Sequence, residues 1–424
     1  MKYLISRTNT GKSFPETGRK ALQCPDNKLE KPPYGTLAVY STSNASPSLS
    51  DKTVCMSSVQ TDGKVQYTHY NVHSLYAYSQ AKATYKGLTE TVFRGERPFI
   101  LTRSSFAGSG KYAVHWLGDN TATWEDLRVS LIGVVEFSFF GFSMIGADIC
   151  GFYGDAEEEL CARWMQTGAF YSFSLTITTR SKLNKTLQAW LGHSYKSIKR
   201  RLNYSLQISS FFVFCHYRAH TYGNPAIRSL FSVFPNDIKA RSVDDEFFWS
   251  DKLLVAPVVK KSATSREVYF PESKWYDLLN GTVVAQGPIT LTVDAPIDKI
   301  PLYVRGGSIL PFQEPSITTT ESRKNPFGLT VALNEKNLAE GELFWDDGHS
   351  DKPINEAFFG NLKYDQGSLS LTIQYNKAAV SDLKLTTINI YGYPANPSGI
   401  TVNGEAAAPS SWNFNVTTSV LDYF

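Results

Sequence analysis

A chain of 424 residues with 42% apolar and 13% aromatic content has material for two or three domains with sizeable cores, which excludes a disordered chain. Its net charge of +3, spread through 19% charged residues, is too weak a field to hold nucleic acid or an acidic membrane surface, so a neutral partner is expected. Eight Trp, 23 Tyr and 26 Phe are many; most belong to cores, but aromatic faces also stack on the C–H faces of sugar rings.

No run approaches the roughly 20 apolar residues of a membrane span, and Met1 to Ser13 has no apolar core of the signal-peptide kind. Five cysteines and Asn-x-Ser/Thr triplets at Asn44, Asn184, Asn203, Asn280 and Asn415 suit a secretory route. A secretory-type body without a secretory start leads to the expectation that an N-terminal piece is missing.

Residues 1–68, rich in Ser, Thr, Pro, Asn and Lys, read as a long loop region. From His69 the texture changes: Val72, Leu75, Tyr76, Tyr78, Ala81 and Tyr85 recur at helical spacing. Pro98 to Thr102 reads as a buried strand, Trp124 to Phe140 as a helix with acids near its start, Phe142 to Ile149 as strand-like, and Glu157 to Thr167 as another helix. This alternation predicts a parallel α/β sheet or barrel over 69–258. Beyond Val259 short alternating runs divided by Gly, Pro and Asn predict antiparallel β domains. Examples are Glu267 to Phe270, Ile289 to Val293, Leu302 to Val304, Leu369 to Tyr375, Leu383 to Ile390 and Ile400 to Val402. We divide them into sandwiches at 259–350 and 351–424.

Within Ile100 to Phe152, strand-like runs end in polar residues in close succession: Thr102-Arg103-Ser104, His115-Trp116-Leu117-Gly118-Asp119-Asn120 and Gly146-Ala147-Asp148. In a barrel the C-terminal strand ends carry the catalytic groups, so one ring can hold all three; helix caps and turns are the alternative. Other features read as structural. Gly108-Ser-Gly-Lys111 lacks the earlier glycine and following Ser or Thr of a phosphate loop and reads as a turn. Asp155 and Glu158 have the spacing of a capping box, and Asp346-Asp347-Gly348 that of a hairpin turn. Seven histidines and five cysteines show no zinc spacing, so neither metal nor cofactor is expected.

The run Arg103-Ser-Ser-Phe-Ala-Gly-Ser-Gly-Lys-Tyr, then His115-Trp-Leu-Gly-Asp-Asn-Thr and Gly146-Ala-Asp-Ile-Cys-Gly-Phe, resembles the second half of glycoside hydrolase family 31 barrels. Tyr70-Asn-Val-His-Ser-Leu-Tyr upstream, and Arg305-Gly-Gly-Ser-Ile-Leu-Pro and Phe344-Trp-Asp-Asp-Gly downstream, resemble the same family in the same order. The resemblance spans Cys24 to Gly348. It implies an incomplete (β/α)8 barrel, residues 1–68 being the remnant of a barrel insertion, followed by antiparallel β-sandwich domains. The implied activity is that of a retaining α-glucosidase acting on α-glucoside oligosaccharides of the maltose type, without cofactor. Asp119 is then the general acid/base, which needs a raised pKa that Trp116 helps supply by walling it off. Arg103 binds a sugar hydroxyl, Phe152 lines the glucose pocket, and Asp148 lies behind or beside it, with a structural acceptor as its alternative. The resemblance also pairs Cys24 with Cys55 and Cys150 with Cys161, leaving Cys215 single; buried free thiols are the alternative.

The chain departs from the family twice. No Trp-x-Asp-Met-Asn-Glu motif, where the family keeps its nucleophile, occurs in these residues. The exact polypeptide is therefore expected to be inactive, and a barrel so shortened to leave open, apolar strand edges. At 174–214 the family's Asn-His-Asn is replaced by Leu175-Thr176-Ile177-Thr178, whose codons read one base earlier can spell Asn-His-Asn. A frame error is one account and lineage divergence the other. Under the first, Lys196, Lys199, Arg200, Arg201 and the triplets at Asn184 and Asn203 carry no functional meaning. A chain that binds sugar without catalysis is the reading from a different class.

Overall fold

The computed structural model describes residues 23–33, 49–50, 53–176, 207–377 and 384–424. Ile177, Thr178, Leu383, the triplets at Asn44, Asn184 and Asn203, and the basic cluster Lys196 to Arg201 lie outside the described residues. The chain divides into two compact units, residues 1–83 with 104–106, and residues 84–103 with 107–424.

The first unit is stapled by the Cys24–Cys55 disulfide, with Cα atoms 5.3 Å apart. Beside it Glu30 is buried and accepts the Met56 amide at 2.7 Å. A short hairpin, β1 (Val59–Thr61) with β2 (Gln66–Thr68), leads into helix α1 (His69–Gly87), whose first residue is buried and hydrogen-bonded to His73 one turn on at 2.9 Å. The helical periodicity of Val72 to Tyr85 thus falls inside α1.

In the second unit, strands β3 (Leu101–Thr102), β4 (Val114–Trp116) and β5 (Ile145–Gly146) form a parallel sheet in that order. Strand β6 (Asp148–Ile149) pairs in parallel with β7 (Leu175–Thr176). Helix α2 (Trp124–Phe139) follows β4, capped by the Thr123 hydroxyl, which accepts from the Asp126 amide at 3.1 Å. Its buried residues Leu127, Ser130, Leu131, Val134 and Ser138 keep the three-and-four spacing of one packed face. Helix α3 (Glu158–Gly168) follows β6 with Glu157 as its N-cap, and is buried almost all round. These strand–helix units with parallel strands are part of a (β/α)8 barrel, open rather than closed. The segment 108–111 is the expected turn: Gly108 has φ 86°, and a Cβ on Gly110 would lie 2.0 Å from the Gly141 carbonyl oxygen.

One expectation is corrected. The strand after Pro98 is not buried, because β3 ends the sheet order and has no further neighbour among the described residues; Phe99 is 58% exposed and Leu101 39%. An apolar run made for a sheet interior stands here at an edge.

Helix α4 (Ser209–Tyr222) leads to an antiparallel six-stranded sheet. Its members in chain order are β8 (Ile227–Arg228), β9 (Phe247–Trp249), β10 (Leu253–Val255), β12 (Lys274–Asp277), β13 (Val283–Gln286) and β15 (Leu302–Arg305). The hairpin-like pair β11 (Ser265–Phe270) and β14 (Ile289–Asp294) stands apart from it. An eight-stranded sheet follows, ordered β20-β19-β18-β16-β17-β21-β25-β24. Its strands are β16 (Ser308–Gln313), β17 (Phe327–Ala332), β18 (Ala339–Trp345), β19 (Phe358–Asp365), β20 (Ser368–Asn376), β21 (Leu385–Tyr391), β24 (Trp412–Asn415) and β25 (Val420–Tyr423). The small pair β22 (Thr401–Val402) and β23 (Glu405–Ala406) lies before β24. Most ladders are antiparallel, but β16 with β18 and β17 with β21 run parallel. The six-stranded sheet runs from Ile227 to Arg305 and the eight-stranded sheet from Ser308 to Tyr423. Asp346 to Gly348 sit in the connection from β18 to β19, where Arg97 and Arg323 both bond Asp346, at 2.7 and 3.4 Å.

Candidate active site

The three polar strand ends converge. Arg103 follows β3 directly, Asp119 lies three residues beyond β4, and Asp148 two residues beyond β5, where it opens β6. The Arg103 guanidinium is 3.6 Å from the Asp119 carboxylate and lies 5.4 Å from the centre of the Trp116 ring. Gly118 makes room for this: with φ +89° it takes a conformation that side-chain-bearing residues avoid, and a Cβ there would stand 2.3 Å from Arg103 Nε.

Trp116 also makes a polar contact. Its indole N–H donates to Asp148 Oδ1 at 2.7 Å, so the carboxyl it addresses is Asp148. Asp148 is completely buried and its Oδ2 has no partner among the described residues. Burial pushes the Asp148 carboxyl up to about 6, against the Trp116 hydrogen bond that lowers it, with the neighbouring Asp119 charge adding to the rise. Asp119 itself keeps about a quarter of its side chain exposed and accepts the Tyr153 hydroxyl at 3.3 Å.

Phe152 is brought to the same place through Asn120. The Asn120 side chain donates to the Asp148 carbonyl at 3.0 Å and accepts the Phe152 amide at 3.0 Å, while its own carbonyl takes the Tyr153 amide at 2.8 Å. The Phe152 and Tyr153 rings meet edge to face at 4.7 Å. All five site residues read from the sequence therefore fall in one cluster, Trp116 and Asp148 beside the Arg103–Asp119 pair and Phe152 tied in by Asn120. Sequence reasoning gave no role to Asn120 or Tyr153. Asn120 stands next to Asp119 in the polar run already singled out, and that adjacency was its only signal.

His115, between these residues in sequence, belongs to the core. Its ring stacks on Phe137 at 3.8 Å, and burial pulls its pKa down to about 4, so it is neutral at pH 7. The structure pairs Cys150 with Cys161, next to Asp148 and inside α3, and leaves Cys215 as a buried free thiol. Among the described residues the only grouping with metal-ligand spacing is Cys24, Glu30 and Cys55, and both thiols are taken by the disulfide.

Carboxylates gathered at the C-terminal ends of parallel barrel strands are the arrangement of a barrel glycosidase. Residues 20–206 match the glycosyl hydrolases family 31 TIM-barrel domain and residues 223–310 the family 31 C-terminal domain, and the chain belongs to glycoside hydrolase family 31. It is 38% identical to intestinal sucrase-isomaltase of Oryctolagus cuniculus over 97% of its own length and 22% of that protein. It is 34% identical to lysosomal alpha-glucosidase of Rattus norvegicus over 94% of its length and 43% of that protein. The chain thus spans between about a fifth and two-fifths of these relatives. The crystal structure of the glucosidase II alpha subunit superposes on 84% of this chain and 41% of that chain at a TM-score of 0.77 and 28% identity. A Flavobacterium johnsoniae family 31 dextranase, 22% identical, shares the fold over 84% of this chain and 48% of that one at a TM-score of 0.74.

Proposed function

We propose that this chain carries the acid/base half of an α-glucosidase site, made for terminal α-linked glucose of maltose-like oligosaccharides and a retaining double displacement. The observation that carries the reading is the convergence of Arg103, Asp119, Trp116 and Asp148 from three successive strand ends. Asp119, partly exposed and held by Arg103 and Tyr153, is the acid/base that protonates the departing oxygen and then deprotonates water. Arg103 meets a sugar hydroxyl and Phe152 packs on the ring. Asp148, wholly buried under the indole it accepts from, is a positioning residue that fixes Trp116.

The same reading assigns 1–68 to a barrel insertion, 69–258 to the barrel's second half and the remainder to the C-terminal β domains. One relative is intestinal and another lysosomal, and with two disulfides they support a secretory-pathway location. No described helix is long and apolar enough to cross a membrane.

Because none of the 424 residues supplies the family's nucleophile motif, the chain as given is proposed to bind glucosides without turning them over. The test is incubation of the purified chain with maltose and p-nitrophenyl α-glucoside. No release of glucose or nitrophenol is expected, together with a maltose-dependent rise in melting temperature that Arg103→Ala and Phe152→Ala reduce. Turnover that Asp119→Asn removes would refute the inactivity, and a melting temperature unmoved by saccharide would refute the binding site.

A further inference from the structure

A second cleft, of about 550 Å³, opens where helix α4 and the turn between β9 and β10 face strands β18 to β20. That volume is ample for one or two hexose rings and lies within the ordinary range of small-ligand pockets. None of Arg103, Trp116, Asp119, Asp148 or Phe152 lines it.

The sheet side of the cleft is a polar grid. Strand register sets Glu342 beside Asn361 and Asn361 beside Thr372, and sets Glu340 beside Lys363 and Lys363 beside Ser370. These are alternate residues along each strand, so they share one face, while Leu343, Leu362 and Tyr364 go to the buried core on the other. A sheet face opposite a helix is normally apolar. This one is built of carboxylate, amide, hydroxyl and ammonium groups at strand spacing, about 4.8 Å.

The opposite wall adds cations. Arg218 reaches Glu342 at 3.3 Å, Lys252 donates to the Glu340 carbonyl at 3.0 Å, and Arg228 bonds the Pro225 carbonyl through Nε at 3.1 Å. Each retains further N–H donors beyond those bonds. Among the described residues the side chains of Asn361 and Thr372 hydrogen-bond to nothing. Asp251 and Glu342 stand among the cations, and their charge works against a phosphate or other free anion. A neutral polyol suits the mixture, since each hydroxyl donates to a carboxylate and accepts from a guanidinium or amide.

From this grid we propose that the cleft is a second, non-catalytic site for a neutral saccharide of one or two rings. The assignment stands apart from the catalytic reading and is tested separately. The full chain is photo-crosslinked with a diazirine-bearing maltose and titrated with maltose and with inorganic phosphate. Wild type, Asn361→Ala/Thr372→Ala and Phe152→Ala are compared after circular dichroism confirms equal folding; both grid substitutions fall on partly or fully exposed strand positions. The expected result is crosslinking within 361–372, at least a tenfold loss of affinity at one of two sites in the double variant, and retention of that site in Phe152→Ala. Crosslinks confined to 103–152, maltose affinity indifferent to the double variant, or binding of phosphate in place of maltose would each overturn the proposal. Crosslinks in 361–372 with none in 103–152 would uphold it and refute the catalytic-site reading instead.

Discussion

Arg163 is where helix α3 grips the residues beyond it, and replacing it tests how the barrel part is fastened to the β domain. It is 1% exposed and among the described residues has no carboxylate in contact; its guanidinium donates instead to the carbonyls of Ala295 at 2.7 Å, Ala263 at 2.9 Å, and Pro296 and Lys299 at 3.2 Å each. Gln166, one turn on, adds a bond to the Ile297 carbonyl at 2.8 Å. Arg163→Met keeps most of the volume and removes every donor. A hydrogen bond from a charged group contributes about 1.5–3 kcal/mol, and a buried orphaned acceptor costs about 1–3 kcal/mol. The bonds share one group and the partly buried carbonyls regain water, so the four do not add, and a net loss of about 3–5 kcal/mol is expected. Arg163→Lys keeps the charge but cannot reach four carbonyls at once, and falls between. Urea unfolding gives the total, and hydrogen exchange at the Lys299 amide, bonded to Pro296 in the native chain, gives the local part. A loss below about 1 kcal/mol in Arg163→Met, with Lys299 exchange unchanged, would refute the clamp.

Asp148→Asn keeps an acceptor for Trp116 and removes a buried charge. Because the folded carboxyl is raised to about 6 while the unfolded one titrates near 3.8, the native chain binds more protons between those values, and its stability falls as pH rises through that window. The variant is therefore expected to match wild type near pH 4 and exceed it by about 1–3 kcal/mol at pH 7. Equal stability across that range would show that Asp148 is not raised. Trp116→Phe leaves Asp148 Oδ1 without its donor; carboxyl NMR should show the Asp148 pKa moving higher still, with about 1–3 kcal/mol of stability lost. Gly118→Ala meets both a left-handed backbone and the Arg103 side chain, so about 1–3 kcal/mol of destabilisation is expected, with weaker maltose binding by calorimetry. Serine at Cys24 or at Cys150 opens loops of 31 and 11 residues, and chain entropy sets the losses at about 4 and about 3 kcal/mol, read by thermal unfolding.

Much of this was legible in the residues, for physical reasons. The α2 stripe from Leu127 to Ser138 follows a period that burial imposes, and Thr123 before two acids marks its start. The C-terminal strands were legible through alternation, as in β20, where Leu369, Leu371, Ile373 and Tyr375 alternate with polar residues. Pairing was not, because the eight-stranded order brings β16 beside β18 and β17 beside β21 through contacts far apart in sequence. The edge position of Phe99 and Leu101 escaped for the same reason: an apolar run declares that it fits a sheet interior, not whether a neighbour is present. In the site, residue types were legible and the hydrogen bonds were not. Trp116 is close to Asp119 in sequence, yet parallel pairing of β4 with β5 turns its indole toward Asp148.

That hydrogen bond bears on the proposed inactivity. Asp119 and Asp148 are the two carboxylates at these strand ends, and Asp148 raises the question of whether it could act as a nucleophile itself. A nucleophile must be ionised, and near pH 7 a carboxyl at about 6 is mostly so. It must also reach an anomeric carbon. Asp148 exposes none of its surface, its Oδ1 is occupied by the Trp116 indole, and its Oδ2 is buried without a partner among the described residues. To attack, it would have to give up that bond and displace the ring that walls the site, losing the positioning it supplies. Reach, not ionisation, therefore excludes it. On the proposed reading Asp148 therefore acts by holding Trp116 beside the Arg103–Asp119 pair, and not by attacking substrate.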